Sequence, residues 1–152
     1  MTLRKMITTA LLASLLLLAA AIGCAGPEVG LDGGALRPCP GSPNCVSSEE
    51  GAPEGARVAP LDIPAGTSPA AAFEALAAVV GERASLEVVE PEYLHAVFKT
   101  RLLRFRDDFE ARLDAAAGVI HVRSASRLGY SDLGANRRRV EAVREAFRTA
   151  LD

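Results

Sequence analysis

The sequence predicts an α+β fold: a two-layer sandwich in which an antiparallel sheet of about five strands carries two helices on one face, in the order β-α-β-β-β-β-α. Two observations predict it. Between residues 86 and 125 apolar residues alternate with polar ones, a period of two that is typical of antiparallel strands with one buried face. On either side of this region, two segments repeat apolar residues at helical spacing, which predicts helices that each bury a single stripe.

The elements before the sheet are a short strand and a helix. A strand is expected over 57–63, and Pro60 confines it to an edge because proline cannot donate to a ladder. The helix is expected to begin after Ser68, a natural N-cap, with Pro69 in its first turn, and to end at Gly81. Its apolar stripe consists of Phe73, Leu76, Ala77 and Val80.

Four strands and a second helix follow. The strands are expected over 86–89, 93–103 and 108–114 and, after a hairpin turn at 115–118, over 120–125. Because one face of this sheet is apolar, both helices are expected to cover that face and to leave the other face polar and open to solvent. The apolar stripe of the last helix consists of Val140, Val143, Phe147 and Ala150.

Residues 1–23 have the pattern of a secretory signal peptide. Arg4 and Lys5 precede a charge-free run, 6–22, and small residues lead into Cys24. This order resembles the bacterial lipobox, so we expect removal of the signal and attachment of acyl chains such as palmitate to the cysteine. The alternative is a retained membrane helix, but the run is short for a span and no cationic stop follows it.

An acylated Cys24 predicts a lipoprotein of the cell envelope whose partner is the membrane and whose domain is extracytoplasmic. Ala25, rather than an acid, follows the cysteine, which favours the periplasmic side of the outer membrane in a cell with two membranes. Residues 24–36 are expected to form a lipidated flexible tether, and 37–152 a single α+β domain. Losing two cations with the signal takes the formal charge from −2 to −4, which argues against nucleic acid as a partner.

Two cysteines remain once Cys24 is acylated. Cys39 and Cys45 are joined by a segment rich in proline and glycine, and an even pair in an oxidising compartment predicts a disulfide. The alternative is a thiolate metal site, which needs further ligands. His95 and His121 are the only histidines and lie far along the chain, so we expect no metal and no cofactor.

The densest run of polar residues links the last strand to the last helix. A helix N-terminus offers free backbone N–H groups, and arginines beside it can bind a phosphate or carboxylate. In the structural alternative, Asp132 or Asn136 caps the helix and the arginines pair with acids on the neighbouring strand. Those acids are Asp107, Asp108 and Glu110. The candidate ligand-binding residues are Arg123, Ser124, Ser126, Arg127, Ser131, Asp132, Asn136 and Arg137.

Three ordered motifs carry a family resemblance. They are Cys39-Pro40-x-Ser42-Pro43-Asn44-Cys45-Val46-Ser47-Ser48, then Asp107-Asp108-x-Glu110, then Arg123-Ser124-Ala125-Ser126-Arg127-x-Gly129-x-Ser131-Asp132-Leu133-Gly134-x-Asn136-Arg137. With these motifs, residues 36–152 resemble the domain-of-unknown-function family 1499. The resemblance implies a small domain that is often exported or membrane-associated, and it implies no reaction.

Two functions are compatible with these features. The first is a membrane-anchored, non-catalytic envelope domain that binds a small anionic ligand or an envelope protein through the polar junction. The alternative is a hydrolase or transferase with Asp107 or Asp108 as its base. Arg123 and Arg127 would then clamp an anionic substrate, and Ser124 or Ser126 would be the nucleophile. The first function is favoured, with no catalytic residue assigned, because the sequence contains no evident Ser-His-Asp order and no phosphate-loop glycine pattern.

Overall fold

The computed structural model describes residues 27–100 and 104–152. The expected signal peptide, 1–23, and Cys24 lie outside these residues. Within the described ranges, no helix is long and apolar enough to cross a membrane. The strands are β1 (Leu31–Asp32), β2 (Ala35–Leu36), β3 (Cys45–Ser47), β4 (Leu61–Asp62), β5 (Ser85–Val89), β6 (Tyr93–Lys99), β7 (Arg106–Asp114) and β8 (Val119–Ser126), and the helices are α1 (Pro69–Gly81) and α2 (Ala135–Leu151).

The main sheet confirms the predicted α+β class. Its strand order is β3-β8-β7-β6-β5 with antiparallel neighbours, and β4 also pairs with β8, further along the same edge as β3. The strand expected over 57–63 is reduced to β4, and the one expected over 93–103 ends at Lys99. The sequence pattern does not reveal β3 or the β1–β2 hairpin, because strands of two or three residues are too short to show a period.

Helix α1 begins as predicted. The Ser68 hydroxyl accepts a hydrogen bond from Ala71 N at 3.2 Å, and Pro69 occupies the first turn. Both helices pack against the apolar face of the sheet in one core, which confirms the two-layer arrangement. Of the predicted stripe residues, Ala150 is exposed and lies outside this core. The largest core residues include Phe73, Leu76, Leu94, Phe109, Ile120, Val140 and Phe147.

The opposite face of the sheet is polar but is not open to solvent, so that expectation is wrong. The side chains that point to this face include those of Tyr93, His95, Asp108, Glu110 and Arg123, and all five residues are buried. Alternation with a period of two identifies which residues share a face, but it does not show what lies over that face.

Part of the segment expected to be a tether forms the cover. β1 and β2 pair as a hairpin, and β2 contacts β7 and β8. Leu36 is 3 % exposed, and Gly30 N donates a hydrogen bond to Glu110 Oε1 at 2.6 Å. The folded part of the chain therefore begins well before residue 37.

The Cys39–Cys45 disulfide is present, as predicted, with Cα atoms 5.6 Å apart. Cys45 is the first residue of β3 and is the register partner of Ala125 on β8. The bond therefore ties the loop that follows the β1–β2 hairpin to the edge of the main sheet.

Candidate functional site

The most deeply buried ionic group is the Glu110 cluster, which consists of Glu110, Arg123, Tyr93 and the backbone N–H of Gly30. Glu110 and Arg123 are register partners on β7 and β8, and Arg123 Nη1 donates to Glu110 Oε2 at 2.6 Å. The other carboxylate oxygen, Oε1, accepts from the Tyr93 hydroxyl at 2.7 Å and from Gly30 N at 2.6 Å. Glu110 and Arg123 are 0 % and 2 % exposed, so the pair is almost fully buried.

The buried Glu110 carboxylate affects the pKa of Tyr93. Burial raises the pKa of its hydroxyl, and the hydrogen bond to Glu110 together with the negative charge of Glu110 raises it further. The phenol therefore stays protonated and acts as a hydrogen-bond donor inside the cluster.

Asp108, a candidate base in the enzymatic alternative, lies beside this cluster on the same face of β7. His95 Nε2 lies 2.8 Å from Asp108 Oδ1, and Arg127 donates from Nε and Nη2 at 2.9 and 2.7 Å. Burial alone would raise the pKa of Asp108, but the hydrogen bonds from His95 and Arg127 outweigh burial and hold the pKa below its usual range. Asp108 is therefore an ionised carboxylate with its acceptors engaged, which makes it a poor general base.

Asp107, the other candidate base, faces α2 on the opposite side of the sheet. Its carboxylate accepts from Arg139 Nη2 at 2.5 Å, and the Arg139 guanidinium also lies over the Phe98 ring, 5.0 Å from the centroid. Asp107 and Ser126 are register partners and line the same cavity of about 180 Å³. The hydroxyl of Ser126, a candidate nucleophile, accepts from Asn136 Nδ2 at 2.9 Å rather than donating to a base.

Asn136, in the first turn of α2, is the centre of the junction between β8 and that helix. It is fully buried, and its Oδ1 accepts from Ser124 Oγ at 2.7 Å. Its Nδ2 lies 2.9 Å from Asn44 O, 2.9 Å from Ser126 Oγ and 2.8 Å from Asp132 Oδ2. The amide thus holds the cysteine motif, the last strand and the last helix together, a role that the sequence did not predict.

Asp132 supplies the capping hydrogen bonds of α2. Its Oδ2 accepts from Asn136 N at 2.7 Å and its Oδ1 from Gly134 N at 2.9 Å. Burial alone would raise the pKa of Asp132, but these backbone N–H groups outweigh burial and hold the pKa below its usual range. The helix terminus that could attract an anion is therefore occupied by the chain's own carboxylate.

Arg137 lies apart from this network and donates to the backbone carbonyls of Gly55 and Arg57, both at 2.9 Å. Ser131 lies in an exposed loop and lines the cavity of about 180 Å³ together with Ser126 and Asp132. The candidate ligand-binding residues therefore do not form one site. Arg123 belongs to the Glu110 cluster, Arg127 contacts Asp108, and Arg137 lies on the surface near Arg57. The others belong to the junction around Asn136 or to the exposed loop beside it.

Arg123 also borders an open cavity of about 300 Å³, the Arg37–Arg123 cavity, which sequence reasoning missed. Arg37 contributes a second guanidinium and pairs with Glu28 at 3.0 Å, while Asp32 lies along the wall. The Nε atoms of both arginines are buried and have no hydrogen-bond partner among the described residues. The sequence places Arg37 just before the cysteine motif, but a loop has no period that could assign it to a face.

Glu49 and Arg112 form a further ion pair that sequence reasoning missed. Arg112 donates to Glu49 from Nε at 2.9 Å and from Nη2 at 3.1 Å, and Leu36 N donates to Glu49 Oε1 at 2.9 Å. Burial alone would raise the pKa of Glu49, but the hydrogen bonds from Arg112 and Leu36 outweigh it and lower the pKa. The pair holds the β1–β2 hairpin against the sheet.

Residues with metal-binding side chains are engaged elsewhere. His95 pairs with Asp108, and both cysteines of the motif form the disulfide. Across residues 27–100 and 104–152, no group of three or more His, Cys, Asp or Glu side chains is arranged to hold a metal ion.

One protein family has a model that matches residues 35–147, and that family is described as Protein of unknown function (DUF1499). The matched range contains all three motifs on which the resemblance depends. No curated protein and no solved structure matches the chain significantly.

Proposed function

The chain belongs to the DUF1499 family, and we propose that it is a membrane-anchored envelope lipoprotein whose domain binds an anionic ligand without catalysis. The observation that carries the proposal is the state of the Asp107-Asp108-x-Glu110 motif, in which each acid accepts a charge-assisted hydrogen bond from an arginine. Carboxylate oxygens that already accept hydrogen bonds from guanidiniums are poorly placed to take a proton from a substrate. Their role is to hold the sheet, the cover and α2 together.

The enzymatic alternative requires groups that lie on different faces of the sheet. Arg123, Arg127 and Asp108 are on the face covered by the β1–β2 hairpin. Asp107 and Ser126 are on the face that packs against α2, as their contacts with Arg139 and Asn136 show. A clamp on one face and a nucleophile on the other do not act on one substrate.

The disulfide supports export. Disulfides persist in oxidising compartments, so the Cys39–Cys45 bond is consistent with a domain outside the cytoplasm. Cys24 is then the acceptor of the acyl chains. We expect that Cys24→Ser abolishes incorporation of labelled palmitate and releases the domain from the membrane fraction. Membrane association that persists in Cys24→Ser would instead support a retained helix.

The Arg37–Arg123 cavity is the site that we propose for the anionic ligand. Arg123 is oriented by Glu110, and Arg37 lines the same cavity. The Nε atoms of both arginines lack a hydrogen-bond partner among the described residues, so each guanidinium has a donor that is not in use. The partner of Arg37, Glu28, has a side chain that is 82 % exposed, so an anion can replace it at little cost. Planar guanidiniums recognise phosphate and carboxylate groups, which defines the ligand class.

Inorganic phosphate tests this site on the full-length protein. Phosphate that binds only the folded state raises the unfolding temperature, and Arg37→Gln should remove that increase. Arg83→Gln is the matched control, because the Arg83 side chain is 39 % exposed against 35 % for Arg37 and it also pairs with one glutamate. Chloride at the same ionic strength corrects for screening. An equal phosphate effect in all three proteins, or no effect in wild type, would show that the cavity is not the site.

A further inference from the structure

An apolar surface, the apolar tip, consists of Phe105, Leu128, Tyr130 and Leu133. Phe105 and Leu128 are 46 % and 55 % exposed and line the same cavity of about 180 Å³. Tyr130 and Leu133, in the loop between β8 and α2, are 75 % and 85 % exposed. Leu133 also has a φ of 52°, a backbone conformation that residues with side chains rarely adopt. Tyr130 and Leu133 are adjacent in the chain to Gly129, Ser131 and Asp132, which line the same cavity. Large apolar side chains that are exposed around one cavity are typical of a binding surface.

The surroundings of the apolar tip are basic. The exposed residues Arg104 and Arg106 stand on either side of Phe105 in the chain, and Arg138 Nη1 donates to Leu133 O at 2.9 Å. The two acids that line the cavity are already engaged, one by Arg139 and the other by the backbone at the start of α2. An apolar centre with a basic rim complements an interface in which anionic headgroups cover hydrocarbon.

The apolar tip and the segment that leads back to Cys24 both contact the disulfide loop. Two residues separate Cys24 from Pro27, a span of at most about 11 Å. Pro27 lines the Arg37–Arg123 cavity together with residues of the disulfide loop. Asn44, in the same loop, donates from Nδ2 to Gly129 O, between two residues of the apolar tip, at 2.5 Å.

We propose that the apolar tip docks on an anionic bilayer surface, the leaflet that holds the acyl chains of Cys24. This docking rests on the proposed function, because acylation of Cys24 decides which leaflet the domain meets. Because the folded domain begins so close to Cys24, the anchor and the apolar tip provide two attachments on one membrane, and the second is favoured by the high effective concentration that the first creates. The domain then lies on the leaflet in a fixed orientation.

The absence of tryptophan from the chain makes a direct test available. Tyr130→Trp places the only tryptophan in the apolar tip, and Val89→Trp places it on β5, at the other edge of the sheet, where the side chain is 56 % exposed. Each full-length protein is mixed with preformed vesicles of phosphatidylcholine, either alone or together with phosphatidylglycerol. The phosphatidylcholine in both kinds of vesicle carries brominated acyl chains, which quench tryptophan fluorescence on contact. Interfacial side chains lie about 5–10 Å into the headgroup region, so the Tyr130→Trp emission should shift to the blue and be quenched with phosphatidylglycerol. The Val89→Trp emission should not change.

Adding Leu133→Asp to the Tyr130→Trp protein should remove most of the quenching, whereas Leu86→Asp, at a 40 % exposed position on β5, should leave it unchanged. Emission from Tyr130→Trp that is the same with and without vesicles would overturn the proposal. Palmitate labelling of the same preparations reports the anchor separately. Labelled protein without quenching rejects the docking and keeps the anchor, and quenching without label keeps the docking and rejects the anchor.

Discussion

Arg123 Nη1 lies 2.6 Å from Glu110 Oε2 in the interior of the domain, where both side chains are almost fully buried. Removing two charges from water costs several kcal/mol for each ion, and their attraction offsets that cost only when the remaining hydrogen-bonding groups are also satisfied. Tyr93 and Gly30 satisfy the second carboxylate oxygen. The stability of the sheet therefore depends on Glu110 and Arg123 being present together.

Arg123→Met should destabilise the protein strongly, by about 3–5 kcal/mol, because it leaves Glu110 buried without a cation. Adding Glu110→Leu to that variant should recover part of the loss, since no uncompensated charge remains. Urea unfolding of the four proteins of this cycle measures the coupling. Removing the exposed Arg148–Glu145 pair is the control and should cost less than about 1 kcal/mol. Additive effects of the two substitutions would contradict the dependence.

Tyr93 should not ionise while the protein is folded. The chain contains two tyrosines, so Tyr130→Phe leaves Tyr93 as the only one. Burial and the Glu110 carboxylate raise the pKa of Tyr93, and we expect no absorbance change at 295 nm near pH 10 in the folded variant. The change should come only with alkaline unfolding. The same variant in denaturant is the control, because an unfolded tyrosine ionises at about pH 10. A reversible ionisation near pH 10 in the folded protein would be inconsistent with the buried hydrogen bond.

Asp108 should contribute to acid sensitivity. Its folded-state pKa is lower than its unfolded pKa, so its contribution is present above the unfolded value of about 3.9 and is lost as the pH falls through the folded value. Asp108→Asn should therefore be clearly less stable than wild type at pH 7, and the difference should shrink below pH 4. Urea unfolding across this range measures the difference. Asp62→Asn, at an exposed position on β4, is the control. A difference that does not change with pH would exclude this ionisation as its cause.

The regular part of the fold was predictable because its signals are local. A Ser68 cap, a helical stripe and strands that alternate over seven to nine residues each carry enough positions to show a period. The disulfide of Cys39 and Cys45 was predictable from the even pair that remains beside Cys24 and from the proline- and glycine-rich segment that joins the two cysteines. Each of these features depends on neighbours within one segment of the chain.

The cover of the polar face could not be predicted because it depends on distant residues. The hydrogen bond from Gly30 to Glu110 joins residues that are 80 positions apart in the chain. The hydrogen bond from Leu36 to Glu49 involves the β1–β2 hairpin, whose strands are too short to show the alternation typical of a strand. Composition indicated a flexible segment here, since glycine-rich sequences lack side chains to pack. For the same reason Arg37 was missed, whereas Arg123 was named but assigned to a different group of residues.

Asn136→Ala should destabilise the protein without affecting the Arg37–Arg123 cavity. The variant leaves buried groups of Ser124 and Asn44 without their partner, and each loss costs about 1–3 kcal/mol. Urea unfolding should show a loss of about 3 kcal/mol, and the increase in unfolding temperature on adding phosphate should match that of wild type. Ser131→Ala, in the exposed loop, is the control and should change stability by less than about 0.5 kcal/mol. If Asn136→Ala abolished the phosphate effect while the protein stayed folded, the junction would belong to the ligand site. Unchanged stability would instead show that the amide network does not hold β8 and α2 together.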